Sequence, residues 1–152
     1  MGPKTQTSMT GLSKTVVRVG LVVLTGTALL SGVWATIAPR SFYDDFPGLG
    51  RHWVAMDGPY NEHLMRDFGA LNLALGAVTL LAAIWLTRHL VIAAAGAWIV
   101  YSVPHVLYHL FNTDGYVTGD QIGIVGGLLV APAIAVIVLV LCLRPDSQGP
   151  DS

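Results

Sequence analysis

Four stretches of this sequence are each long and apolar enough to cross a bilayer as a helix, and that leaves the chain few alternatives. Crossing the hydrocarbon takes about 20 mostly apolar helical residues. The windows run from about Val16 to Ala38, Leu64 to Leu86, Leu90 to Phe111 and Gln121 to Leu143. Backbone groups in lipid have no water to bond, so an isolated span closes its hydrogen bonds as a helix. The expected fold is all-α: a four-transmembrane-helix bundle over residues 16–143, with loose ends at 1–15 and 144–152. Composition agrees. Only 11% of the 152 residues are charged, against roughly 25% in soluble domains. A soluble protein this small has too much surface to cover with so few charges.

The first window follows Lys4, Lys14 and Arg18, as in a signal peptide. It is longer than a signal-peptide core, and Pro39 follows the one small-residue candidate, Ala38, so an uncleaved helix is expected. Lys4, Lys14, Arg18, Arg88 and Arg144 fall on one side of the membrane, and Arg40, Arg51 and Arg66 on the other. That bias places both termini in the cytoplasm. Thr87 to His89 reads as a tight cytoplasmic turn, making the second and third helices antiparallel neighbours. The outer loop between the first and second helices, Pro39 to His63, is long and rich in aromatics. Such a loop suits the headgroup zone, and it is long enough to fold over the helix ends as a cap.

The fourth helix carries Gly119, Gly123, Gly127, Ala131 and Ala135 at four-residue spacing. Small residues in one stripe let another helix approach closely. The stripe reads as a packing face, for this chain, a second copy or another membrane protein. Pro132 should bend this helix without breaking the span.

Polar residues converge on the outer end. His105 and His109 are one turn apart on the third helix, on a stripe with Trp98, Tyr101 or Ser102, and Asn112. At 1.5 Å per residue, His105 would lie on the order of 9 Å inside the helix end. The second helix opens with Glu62 and His63, and Asp67 follows one turn after His63. Asp114 and Asp120 flank the last outer turn. Ionisable groups inside a span cost at least about 2.5–3.5 kcal/mol each and are usually turned inward and paired.

Three readings remain open. The histidines and Asp67 could form structural links between helices, worth roughly 0.6 kcal/mol each in membranes. His105 and His109 could bind one divalent metal ion, with His63, Glu62 or Asp67 completing the shell. Asp67 and His105 could titrate in a small aromatic-lined ligand or proton site. His52 reads as a headgroup contact and His89 as solvated.

Several classes are excluded or unsupported. Net charge is −1 with no Lys/Arg run, so nothing points to nucleic acid. Cys142 is the single cysteine, which rules out an internal disulfide. No nucleophile elbow, phosphate loop or dinucleotide fingerprint is present, so enzymatic activity is left open.

The block Phe46-Pro-Gly-Leu-Gly-Arg-His-Trp-Val-Ala-Met-Asp-Gly-Pro-Tyr-Asn-Glu-His-Leu-Met-Arg-Asp-Phe-Gly-Ala-Leu-Asn-Leu-Ala, with the later Pro104-His-Val-Leu-Tyr-His, resembles uncharacterised four-helix integral membrane proteins of actinobacteria. In helix number and layout the chain is similar to DoxX-like membrane proteins. The resemblance implies a multi-pass protein of the plasma membrane. DoxX-like proteins are tied to respiratory or sulfur redox complexes and to thiol stress, but a chain with one cysteine cannot share direct thiol–disulfide chemistry. Fold-level likeness does not supply a function. The residues therefore support a small binding or accessory membrane subunit holding a metal ion or small ligand. A small membrane oxidoreductase with a histidine and carboxylate metal site, and a structural partner in a larger complex, are the alternatives.

Overall fold

The computed structural model describes residues 11–144. Helix α1 (Gly11–Ile37) leads into the short α2 (Pro39–Asp45) and a two-stranded hairpin, β1 (Pro47–Gly48) and β2 (Arg51–His52). Helices α3 (Glu62–Trp85), α4 (Arg88–Phe111) and α5 (Thr118–Leu143) follow. The four long helices are each apolar enough to cross a membrane, and the chain fits a multi-pass membrane protein.

Each long helix begins ahead of its apolar window, because polar first turns stay helical beyond the hydrocarbon. Gly11 to Thr15, expected to be loose, belong to α1. Met1 to Thr10, with Lys4 of the charge bias, and the tail from Pro145 lie outside the described residues.

The breaks have local causes. Proline disfavours the helical conformation in the residue before it, and Ala38 duly leaves the helix at φ −127° and ψ 62°. Pro39 then starts α2, where its missing N–H costs nothing. The Asn61 side chain caps α3 by accepting from the Leu64 amide at 3.1 Å. At the other end of α3, Leu86 turns left-handed at φ 50° and its amide still bonds Ala82 O. The helix restarts at Arg88, so the tight turn is Leu86–Thr87 rather than Thr87–His89. The connection expected as a loop is built: α2, then a hairpin whose turn residues Leu49 and Gly50 both have positive φ, as tight hairpin turns require.

The bundle is two tight pairs. α1 packs most extensively on α3, and α4 on α5, while the α1–α5 and α3–α4 contacts are lighter. Glycines explain the first pair. A Cβ on Gly69 would stand 2.8 Å from the Thr36 amide nitrogen and 2.9 Å from Gly32 O. A Cβ on Gly32 would meet the Leu73 amide nitrogen at 3.0 Å. The two backbones touch because neither residue carries a side chain.

The closed core occupies the end with the Leu86–Thr87 turn. Val17 and Leu21 of α1 meet Ala82, Ala83, Val91, Ala94, Val138 and their neighbours there. Leu24, Ala28, Trp98 and Ala135 continue it to mid-bundle. Beyond that level the packing opens, under the cap formed by α2 and the hairpin.

Candidate functional site

The bundle is solid at its turn end and hollow at its capped end. A cavity of about 550 Å³ lies between the four long helices there, in the range of small-molecule sites. Trp98 forms its floor. The Trp98 indole N–H donates to Thr79 Oγ1 at 2.9 Å, joining α4 to α3 in the buried core.

One wall is an aromatic ladder on α4. Ring centroids are 6.0 Å apart from Trp98 to Tyr101, 5.9 Å from Tyr101 to His105 and 5.1 Å from His105 to His109. Steps of three and four residues keep these rings on one helical face. The facing wall on α3 is Met65, Phe68 and Asn72. Asn72 is buried, and its amide donates to Phe68 O at 2.9 Å and to the Tyr101 hydroxyl at 3.2 Å. α1 contributes Thr27, Leu30, Ser31 and Trp34, and α5 contributes Ile124, Gly127, Leu128 and Ala131.

Trp53 is the pivot of the cap. Its backbone amide bonds Phe46 O at 2.9 Å. Its carbonyl accepts from the Tyr116 hydroxyl at 2.8 Å. Its indole N–H donates to Asp120 Oδ1 at 2.9 Å, and Arg51 pairs with the same oxygen. The indole ring lies over Gly123, where a Cβ would come within 3.0 Å. Phe46 packs edge-on to it at 6.4 Å, and Trp34, Phe42 and Phe68 extend that cluster, with Phe42 and Phe46 centroids 4.9 Å apart. Burial first, and then the nearby Asp57 carboxylate, push the Tyr116 phenol above its ordinary pKa.

Two polar features stand out on this aromatic surface. His109 Nδ1 is buried with no hydrogen-bond partner. Asp57 is the one charged residue on the lining among the described residues; it is exposed at the rim and accepts from the Tyr108 hydroxyl at 3.3 Å.

The structure brings His105 and His109 together and leaves the other expected ligands outside. Glu62 pairs with Arg66, with nitrogen and oxygen 2.8 Å apart. His63 Nε2 lies 3.2 Å from Asp67 Oδ2, with the two side chains 86% and 56% exposed. The close fit of Gly32 and Gly69 sets the rotation of α3, and that rotation turns Phe68 and Asn72 inward in their place. Among the described residues, no group of three or more histidine, cysteine or acidic side chains could hold a metal ion. The divalent-metal shell of His105, His109, His63, Asp67 and Glu62 is therefore not assembled. Asp114 is exposed in the turn after α4, and Asp120 serves the cap.

The expected packing stripe Gly119, Gly123, Gly127, Ala131 and Ala135 divides: Ala135 is in the core with Leu24, Ala28 and Trp98, and Ala131 packs against it, while the glycines meet no helix closely. Gly123 receives Trp53, and Gly127 and Ala131 line the cavity. A Cβ at Gly119 or Gly127 would meet nothing within 4 Å. The close glycine contacts between helices belong to Gly20, Gly32, Gly69 and Gly76 instead.

Asn72, Asp57, Phe68 and Trp53 were not among the expected site residues. Asn72 carries a signal that could have found it: a polar side chain in mid-span is a functional or structural marker by default. No known protein family, curated protein or solved structure matches this chain, so the resemblance to DoxX-like proteins transfers no activity to the site.

Proposed function

We propose that this chain is a small membrane binding protein, or the binding subunit of a larger assembly, that takes an organic ligand into the cavity at its capped end. The observation that carries the reading is His109 Nδ1, a buried polar atom without a partner on the wall of an aromatic-lined cavity. A buried polar atom left unpaired costs about 1–3 kcal/mol. Folding alone gives no return for that cost, whereas a ligand hydrogen bond would. Asn72, Tyr101, Ser102 and His105 supply further hydrogen-bonding groups around the same space. Few polar groups on a mostly apolar, concave surface is the common design of small-molecule sites.

The lysine and arginine bias supports an orientation with the cap on the outer face of the plasma membrane and both termini in the cytoplasm. The ligand would then be held at the outer leaflet.

Native mass spectrometry of the detergent-released protein tests the reading. The wild type should carry a noncovalent adduct. Ala131→Trp, which fills the cavity from α5, should lack it while keeping its helical circular dichroism. A wild type that stays adduct-free after incubation with a total lipid extract would remove the support for a ligand site.

A further inference from the structure

The cavity reaches the side of the bundle as well as its cap. α1 and α5 are tight at the turn end, where a Cβ on Gly20 would come within 2.8 Å of the Val138 side chain. Toward the cap both helices contribute lining to the cavity. Thr27, Leu30 and Gly127 line the cavity, and all three are exposed. Leu30 is 65% exposed, and the space beside Gly127 is empty to 4 Å. Such exposure on lining residues of both α1 and α5 is the basis for an opening between the two helices.

The depth of that opening identifies what lies outside it. Leu30 is seven residues from the end of α1 at Ile37, and Gly127 nine residues from the start of α5 at Thr118. At 1.5 Å per residue the seam therefore lies roughly 10–14 Å below the helix ends. That level is within the hydrocarbon of the leaflet on the capped side. The seam faces lipid tails, not water.

The lining restricts the head of the ligand. Among the described residues, none on the lining is Lys or Arg, so an anionic head would be desolvated with no partner there. The one carboxylate, Asp57, stays at the exposed rim and is engaged by Tyr108. The polar groups of the wall are the Asn72 amide and the Tyr101 hydroxyl in the depth and, nearer the cap, the imidazoles of His105 and His109, all of which donate and accept without requiring a charged partner.

Resting on the binding role proposed above, we propose that the ligand is an uncharged, lipid-soluble amphiphile that enters sideways from the bilayer through the α1–α5 seam. Its head bonds the row Asn72, Tyr101, His105 and His109. Its tail lies in the seam between Leu30 and Gly127.

The cavity contains its own reporters. Trp34, Trp53 and Trp98 line it, and the remaining tryptophan, Trp85, is 62% exposed at the turn end. A Trp85→Phe background in lipid nanodiscs therefore reads the cavity. The probes are a dibrominated monoacylglycerol (uncharged), the matching lysophosphatidylglycerol (anionic) and the matching alkyl trimethylammonium (cationic), whose bromines quench tryptophan on contact. The uncharged probe should quench saturably at low mole fraction, above the linear collisional background.

Gly127→Leu narrows the seam, and Gly126→Leu is its control. Neither added Cβ meets anything within 4 Å, so both variants should fold. Leu30→Phe narrows the same seam from α1. A partly filled cavity weakens binding mainly through faster dissociation, whereas a blocked path slows association. Stopped-flow quenching by the uncharged probe should be at least tenfold slower in Gly127→Leu and slowed in Leu30→Phe, and within twofold of wild type in Gly126→Leu. Saturable quenching at an unchanged association rate in both seam variants would overturn the sideways path and leave the binding role intact. Saturation by the anionic or cationic probe alone would overturn the uncharged head, again sparing the binding role. No saturable quenching by any of the three, in a protein that carries no native adduct, would overturn both.

Discussion

Gly69 meets Thr36 backbone to backbone: a Cβ on Gly69 would stand 2.8 Å from the Thr36 amide nitrogen. A backbone atom cannot swing aside as a side chain can, so any residue larger than glycine must push α3 away from α1. Overpacking of this kind costs roughly 1–3 kcal/mol. Gly69→Ala should lower the melting temperature in detergent clearly, and Gly69→Leu should fail to give a monodisperse protein. Gly119→Ala, with nothing within 4 Å of its added Cβ, should melt with the wild type or slightly above it. Equal melting of Gly69→Ala and wild type would contradict the close approach.

The Trp98 to Thr79 hydrogen bond joins the helices that α1 does not hold together. Thr79 Oγ1 accepts from the indole and itself donates to Leu75 O at 2.7 Å. Interhelical side-chain bonds in membranes are worth about 0.6 kcal/mol on average and up to about 1.7. A double-mutant cycle with Thr79→Val and Trp98→Phe should return a coupling in that range. Strictly additive losses would mean that the bond contributes no stability.

The four helices were legible because hydropathy is a local property of the chain. The α4 wall was legible for a related reason: Trp98, Tyr101, His105 and His109 repeat at helical spacing, and polar groups deep in a span must turn inward. The α3 wall was misread because its rotation does not follow from its charges. His63 and Asp67 lie in the first two turns of α3, close enough to the helix end to face outward at little cost. Gly69 and Gly76 set the rotation instead, through their contacts with α1. The α5 glycines illustrate the same limit. Their spacing equals that of a helix-packing stripe, but what meets them is Trp53 and open space. Spacing predicts that something can come close; only the fold says what does.

Asp120 holds the cap through Trp53, and the two can be separated. Asp120→Ala removes the acceptor for the indole N–H and the partner of Arg51 together. Asp120→Asn keeps an acceptor oxygen and loses only the charge. Arg51 is 45% exposed, so the ion pair itself contributes little. Hydrogen exchange in the segment 47–60 should therefore quicken severalfold in Asp120→Ala and only slightly in Asp120→Asn. The reverse order would place the weight on the ion pair.

The Tyr116 phenol gives the cap a limit at high pH. Its pKa is raised in the folded state, by burial and then by Asp57, from an unfolded value near about 10. The contribution is complete below the unfolded pKa. It falls as pH rises through the interval up to the raised pKa, because the unfolded chain releases that proton first. Limited proteolysis of the cap should accelerate above about pH 10 in wild type. In Tyr116→Phe, which has already lost the bond to Trp53 O, the cap should be cut faster at neutral pH and gain less from the same rise. Identical pH profiles would remove Tyr116 from the account.

His109 sets stability against binding. Its Nδ1 is buried and unpaired, so replacing the imidazole by an apolar group removes an unsatisfied atom and not a bond. Such exchanges are neutral or stabilising. The ring also packs on His105 and Tyr108, and leucine restores only part of that contact. His109→Leu should therefore melt within about 1 kcal/mol of the ligand-stripped wild type, on either side. The same variant should lose most of the stabilisation that ligand adds to the wild type, because ligand raises stability only as far as it binds the folded state. A His109→Leu protein that loses several degrees when stripped of ligand, and still gains as much as wild type when ligand is added, would make the histidine a structural group. The unpaired nitrogen would then no longer mark the site.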